Sequence, residues 1–366
     1  LIRGLAAAAL ALTLLTGGAA VPAAVPSEAT LAELRTVLTE DLAWPVPAEA
    51  LAALGGADFA TRLRAIDPHA LWLPADAAEH GATNGWSGIG ADLHVGSDGV
   101  RLLPHQGGPA AIAGVPDGAR LLAVDADPVD GLSPEALAER LRGAAGTRVR
   151  VTVGEDGGAR RSYAIERAAL RPLDVERING ARTVLRVREF RAGLTRPALL
   201  ASITAEARTA NAPALVIDLR HSPGGDLFEA FDIAALFVPP GTLLGRLHRR
   251  AGPTRALRAP PGDKLDMPLV LLVGPDTASA AELFAGSLQA LGRATLVGRP
   301  THGKCSSQTT VRLRDGSRLR YTNLVVELPH AATCHGRGLH PDVLLTPSAL
   351  HDGELLRAAI DAAATR

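Results

Sequence analysis

The stretch that most constrains the chain runs from Pro268 to Gln308, where PLVLLVG, PDTASAAELFAGSLQALG, ATLVG and RPTHGKCSSQ contain, in order, everything needed for one folding unit. A short apolar run closed by glycine reads as a buried strand. The segment after it reads as a turn into a helix with Leu283, Phe284, Leu288 and Leu291 on one face. Ala294 to Gly298 is a second apolar run. The unit is therefore strand, loop, helix, strand, and its two strands are expected to be parallel neighbours. Loops at the carboxyl ends of such strands are the usual seat of chemistry. Ser279 falls in the first of these loops, and Lys304 lies just past the second strand.

Lys304 stands out because the chain hardly uses lysine. Of 38 basic residues only Lys264 and Lys304 are lysines, and the other 36 are arginines. An ordinary surface cation would here be arginine, which cannot shed its proton, whereas a desolvated lysine can. Lys304 is thus a candidate general base, with a solvated surface lysine as the plain alternative. Ser279 has two readings as well. Ser279-Ala280-Ala281-Glu282 fits a capping box, so its hydroxyl reads as a helix cap as well as a nucleophile. Pro223-Gly224-Gly225 precedes a helix with Leu227, Phe231, Ala234 and Ala235 on one face. Such a glycine pair offers open amides to a developing oxyanion, or simply makes a tight turn.

The rest of the chain reads as several domains, since 366 residues exceed what one core normally serves. With 47% hydrophobic and 21% charged residues the chain is neither disordered nor a membrane bundle. A formal net charge of zero without any basic block gives no support for nucleic-acid binding. Arg3, the apolar run Leu5 to Leu15 and Gly18-Ala19-Ala20 read as an export signal over residues 1–20, cleaved after Ala20. The apolar run is short for a membrane span, and no cysteine near the cleavage site offers a lipid anchor. The expected location is therefore outside the cytoplasm, in a bacterial periplasm or secreted.

Residues 27–84 read as helical, in LAELRTVLTEDL and PAEALAALGG, and as a packing appendage in which His69 is structural. Residues 85–168 read as short strands with one helix, SPEALAERLRG, capped by Ser133. In TRVRVTV the alternation places Val149, Val151 and Val153 on one side. From 169 to 350 comes a core of alternating elements: TVLRVREF as a strand, LTRPALLASITAEARTA as a helix and ALVIDLR as a buried strand. Residues 308–328 read as a hairpin turning at Asp315-Gly316, and residues 351–366 as a last helix.

Taken together, TASAAEL, the HGK whose lysine lies 25 residues after the serine, and Gln308 four beyond it resemble the carboxyl-terminal processing (tail-specific) proteases. So do ALVIDLRHSPGGDLFEAFDIAALFVPPGT upstream, GRGLHPDVLL downstream, and LRAIDPHALWL and SGIGADL further back, so the likeness covers about residues 60–350. The resemblance implies an α/β multi-domain protein: a helical N-terminal segment, a PDZ-like β-rich domain, and a mixed α/β sandwich catalytic core of the crotonase/ClpP-like kind. It implies a serine endopeptidase with Ser279 as nucleophile, Lys304 as its base and Gln308 orienting the lysine. Gly224, Gly225 and Ala280 would form the oxyanion hole. Ser87, Gly88, Ile89 and Gly90 would hold the terminal carboxylate of a protein or peptide substrate. No cofactor, metal, nucleic acid or stable membrane anchor is implied, and homo-oligomerisation stays open. The pattern departs from the family at Ala281, Ala290, His302 and Cys305, residues that bear on pocket shape and on the chain path at Lys304.

Rival chemistries are weaker. Gly298 to Cys305 nearly fits a phosphate-binding GxxxxGK[ST] loop, but position 305 is Cys and a β-branched segment follows where a helix is required. A Ser-His-Asp hydrolase lacks its GxSxG elbow. His302, Cys305, Cys334 and His335 could share a metal, although no pair has zinc-finger spacing. A catalytically silent PDZ-containing binding protein on the same fold is the remaining alternative. An exported chain with two cysteines invites a Cys305–Cys334 disulfide. Folding the hairpin about Asp315-Gly316 brings residue 305 opposite residue 326, and the bond would tether the neighbour of Lys304 and make activity redox-sensitive.

Overall fold

The computed structural model describes residues 25–75 and 87–364, apart from 97–98, 133, 155–158, 171–173, 179–182, 210–213, 331–332 and 350–352. The export-signal reading and the Ser133 cap fall outside the described residues. Among the described residues no helix is long and apolar enough to cross a membrane. The chain forms two compact units, one over Thr83–Arg188 and one that joins the residues up to Ala82 to Glu189 and onward.

The first unit is built on an antiparallel sheet in the order Ala91–Gly96, Gly99–Pro104, Ala119–Val124, Arg148–Gly154 and Arg160–Glu166. Val149, Val151 and Val153 all point into its core with Leu102, Leu121 and Ile165, which follows from the period-two pattern of a half-buried strand. The helix Pro134–Leu141 buries Leu137 in the same core. Ala91–Gly96 ends the strand order, and among the described residues no strand pairs with its outer edge. Just before it, the Ile89 and Gly90 carbonyls accept from Ala110 N and His105 N, at 2.7 and 2.8 Å. Their own amides have no acceptor among the described residues.

The second unit contains the sheet predicted from the apolar runs. Leu215–Asp218, Leu269–Val273, Thr295–Gly298 and Val343–Leu344 pair in parallel, with Leu271 beside both Ile217 and Leu296. Leu269–Val273 is buried along its whole length, as a strand covered on both faces must be. The helices Leu227–Ala234 and Ala280–Ala290 each begin in a loop at the carboxyl end of one of these strands.

The second sheet of this unit centres on Arg318–Glu327, which pairs antiparallel with Ser306–Arg312, with Leu71–Leu73 and with Leu243–His248. The hairpin turns at Asp315-Gly316, and a bulge between Ser307 and Gln308 bends its first strand. Fully extended, residues 304–308 would span about 13 Å, and the bulge bends this stretch next to Gln308.

The N-terminal helices Glu28–Asp41 and Phe59–Ile66 belong to this second unit and form a common core with the hairpin. Leu34, Leu38, Leu63, Leu319 and Tyr321 are all nearly inaccessible to solvent there. Polar ties reinforce the packing. The Thr30 hydroxyl donates to Asp315 at 2.6 Å, and the Tyr321 hydroxyl donates to Asp41 at 2.7 Å. The region read from sequence as an appendage is thus integral to the sheet that carries Gln308.

Candidate active site

Ser279 lies where strand Leu269–Val273 passes into helix Ala280–Ala290, and its backbone is at φ 54°, ψ −124°. The capping box read from the sequence is formed with Glu282, yet the backbone is not that of an ordinary cap. The ordinary caps of this protein, Ser27 (φ −61°, ψ 160°) and Asp226 (φ −73°, ψ 126°), are extended and accept from Thr30 N and Glu229 N. Capping needs nothing else. A non-glycine residue held at positive φ costs about 1–3 kcal/mol and persists only where its surroundings impose it. Here the sharp turn projects the Ser279 side chain from the end of the sheet, as in a nucleophile elbow. Thr277 and Ala281 stand where the GxSxG motif has glycine, so this turn carries no such signature in the sequence.

The Pro223-Gly224-Gly225 loop lies directly against this turn. A Cβ on Gly224 would meet Ala278 O at 2.6 Å, Ala280 N at 2.7 Å and the Ser279 Cβ at 2.9 Å, so only glycine fits. Phe190 N donates to Gly224 O at 2.8 Å and Asp226 N to Phe190 O at 2.6 Å, which fixes the loop. The amides of Gly225 and Ala280 have no acceptor among the described residues. Two open amides beside a serine at a helix N-terminus can bind an oxyanion.

Glu282 joins the serine loop to the lysine loop. Its carboxylate is 0% exposed and accepts four hydrogen bonds: from Ser279 N at 3.0 Å, Thr301 Oγ1 at 2.5 Å, Gly303 N at 2.7 Å and Lys304 N at 2.7 Å. Burial pushes this carboxyl above its usual range while the four donors pull it down. His302 N adds a further link by donating to Thr277 O at 3.0 Å. The sequence pattern identified Glu282 only as half of a capping box.

Lys304 is half-buried, and desolvation holds its amine below the ordinary lysine value. Arg320 lowers it further, while Asp67 and Glu282 act in the opposite sense. No hydrogen bond joins the Ser279 hydroxyl to the Lys304 amine among the described residues. Apo geometries of such pairs commonly tighten only around substrate. Gln308 Nε2 donates to Ser306 Oγ and Thr322 Oγ1, both at 3.3 Å, and not to Lys304.

Around the amine stand residues from remote parts of the chain. Asp67 accepts from Thr322 N at 2.7 Å. The His69 and His335 rings lie 6.2 Å apart, and Trp44 stacks on His335 at 5.8 Å. Burial, with Lys304 next in effect, pushes His69 down to about 4, so it is uncharged at neutral pH.

Cys305 and Cys334 are bonded as a disulfide with Cα atoms 5.4 Å apart. This rules out a metal shared by their thiolates. The bond staples two loops that are also zipped by backbone. Gly336 N donates to Gly303 O at 2.7 Å, and a Cβ on Gly338 would meet Thr301 O at 2.4 Å. As the sequence anticipated, Val326 N donates to Cys305 O. The strand Ser306–Arg312 after Lys304 stands where a phosphate-binding loop would need a helix. Closing a loop of 29 residues is expected to contribute about 3 kcal/mol, so a Cys305→Ser, Cys334→Ser double variant should lose that in a denaturant titration. Non-reduced protein should show a mass deficit of about 2 Da, and two free thiols in oxidised protein would contradict the bond.

Residues 183–345 match the family described as Peptidase family S41. The chain is 29% identical over 291 residues to a Staphylococcus aureus protein named Probable CtpA-like serine protease, covering 76% of this chain and 57% of that relative. It is 28% identical over 292 residues to the Carboxy-terminal-processing protease of Bartonella bacilliformis, covering 77% and 67%. The chain thus spans little more than half of the staphylococcal relative. Among solved structures it is similar to the photosystem II D1 C-terminal processing protease, with TM-score 0.60, 25% identity and coverage of 91% of this chain and 97% of that one. A putative S41 protease from Bacteroides fragilis shares the fold at TM-score 0.61 and 18% identity, with coverage of 91% and 96%.

Proposed function

We propose that this chain, which belongs to peptidase family S41 through residues 183–345, is an exported serine endopeptidase that cuts protein substrates near their carboxyl termini. Its catalytic groups are Ser279, Lys304 and Gln308. The observation that carries this reading is the single buried Glu282 carboxylate, which binds the backbone amides of both Ser279 and Lys304. Relatives named as a serine protease and a carboxy-terminal-processing protease support the same class.

In this reaction neutral Lys304 takes the Ser279 proton as Oγ bonds the scissile carbonyl carbon. The negative oxygen that results is received by the amides of Gly225 and Ala280, with Gly224 allowing the close approach. The resulting Lys304 ammonium returns its proton to the leaving amine, and water hydrolyses the acyl-enzyme by the same route. Gln308 helps to position the amine. The PDZ-like unit engages the substrate terminus, its carboxylate on the open amides of Ile89 and Gly90 rather than on all four of residues 87–90, since Ser87 and Gly88 pair with Ala169 and Ala168, and its strand along the edge of Ala91–Gly96.

Two measurements test this. A serine-directed fluorophosphonate should leave its adduct on Ser279, and an unlabelled Ser279 in folded protein would favour the silent binding protein. Peptides amidated at the terminus should bind at least about tenfold more weakly than the free acids, because the anion's charge-assisted bonds are lost. Equal affinities would reduce the PDZ-like unit to a scaffold.

A further inference from the structure

Asp67 is completely buried at the end of the helix Phe59–Ile66, where Asp67 N donates to Leu63 O at 3.0 Å. Its Oδ2 accepts from Thr322 N at 2.7 Å, and its Oδ1 accepts from Thr322 Oγ1 at 3.1 Å and from His69 N at 2.9 Å. Thr322 is itself fully buried, and its carbonyl accepts from Ala43 N at 2.9 Å. The Thr322 hydroxyl then receives Gln308 Nε2, which also reaches Ser306 Oγ. A continuous hydrogen-bonded line therefore runs from Asp67 through Thr322 to Gln308, four residues from Lys304.

The carboxylate itself has no arginine partner. Of the other buried acids, Asp218 is met by Arg220 and Glu176 by Arg188, both at 2.8 Å, whereas Glu229 accepts from the Gly193 and Arg196 backbone amides. No arginine pairs with Asp67 among the described residues. The three donors to Asp67 offset part of the cost of its burial, and a cation formed nearby would offset more. The groups facing Lys304 are Asp67, Glu282 and Arg320, with the imidazoles of His69, His302 and His335 beyond. Glu282 spends its oxygens on four donors, three of them backbone amides and none a cation.

We infer that Asp67 is a positioning residue for Lys304, a buried counter-charge that favours the ammonium formed when the lysine takes the serine proton and that holds Gln308 through Thr322. This rests on the reading of Lys304 as the base. The step moves one proton from Ser279 Oγ to Lys304 Nζ, so the lysine goes from neutral to +1 with Asp67 among the groups that favour that charge. Asp67 makes no hydrogen bond to the amine among the described residues; it acts across space and through Thr322 and Gln308, and it is delivered by the end of the helix Phe59–Ile66.

The two-lysine composition makes the test direct. Full-length protein labelled with ¹³C-lysine gives two side-chain titrations, assigned with Lys264→Arg. In Asp67→Asn the attraction to the ammonium is gone, so Lys304 must lose its proton at lower pH. Its midpoint and the acid limb of kcat/KM should both fall by about one pH unit. The weaker base should lower the plateau kcat by about tenfold. Thr322→Val keeps the charge and breaks the link to Gln308; it should reduce kcat with the midpoint unmoved. A folded Asp67→Asn whose midpoint and acid limb both stay within about 0.2 unit of the parent overturns the inference. Should that variant not fold, Thr322→Val with parental kcat overturns it instead. Lys304→Ala, assayed in parallel, isolates the underlying reading: residual activity there removes the lysine as base, whereas the Asp67→Asn midpoint in the otherwise native chain still reports the counter-charge.

Discussion

Lys304→Arg should leave peptide hydrolysis at background, a loss of at least about 10⁴-fold, and Ser279→Ala should match it. Arginine would preserve the charge and much of the packing at position 304 but cannot become neutral, so it cannot accept the serine proton. The native lysine can, because desolvation has lowered its proton affinity. Activity should therefore rise with pH through the lowered Lys304 value and flatten above it. The same shift fixes a sign for stability. Between the folded value and the ordinary one near 10.5 the unfolded chain binds more protons, so this lysine destabilises the fold below that window and the penalty fades as pH rises through it. Lys304→Met should accordingly be inactive yet no less stable than the parent at neutral pH. Turnover by Lys304→Arg near the parental rate would end the mechanism.

Glu282→Ala should be the most disruptive single change away from the reacting groups. It strips the acceptor from Ser279 N, Thr301 Oγ1, Gly303 N and Lys304 N at once. Each buried donor left unpaired costs about 1–3 kcal/mol, and with partial relaxation the sum should reach about 3–5 kcal/mol. The serine and lysine loops would also lose their common anchor, so activity should drop at least about a hundredfold even where the variant remains folded. Glu282→Gln should fall between the two, because its amide turns a donor toward some of the same N–H groups. A helix cap alone would cost only about 1 kcal/mol. Denaturant midpoints alongside kcat decide it, and a loss of that small size with parental activity would return Glu282 to a purely local role.

Much of the architecture was legible because it rests on short-range pattern. The continuous apolar run Leu269–Val273, the alternation of Val149, Val151 and Val153, and the Asp315-Gly316 turn each encode their own geometry within a few residues. The hairpin even located Cys305 opposite Val326 and so brought the two cysteines within reach. What stayed hidden depends on distance along the chain or on backbone strain. Glu282 reaches Lys304 across 22 positions and Asp67 reaches Thr322 across 255, and neither separation leaves a periodic trace. The positive φ of Ser279 is imposed by the packing of Gly224 against it, without a glycine to announce it. The bulge between Ser307 and Gln308 likewise has no local signature.

The docking of the N-terminal helices onto the hairpin also orders events in time. Residues 30, 41 and 67 wait for residues 315, 321 and 322 before their polar groups are met. A chain made amino end first holds its earliest helices ready while the loops around residues 279, 304 and 334 do not yet exist. Contacts of such long sequence separation form late. The unfinished polypeptide therefore carries residue 67 before residues 279 and 304 have been made, and the site around them can close only after the hairpin that follows has folded onto the first helices.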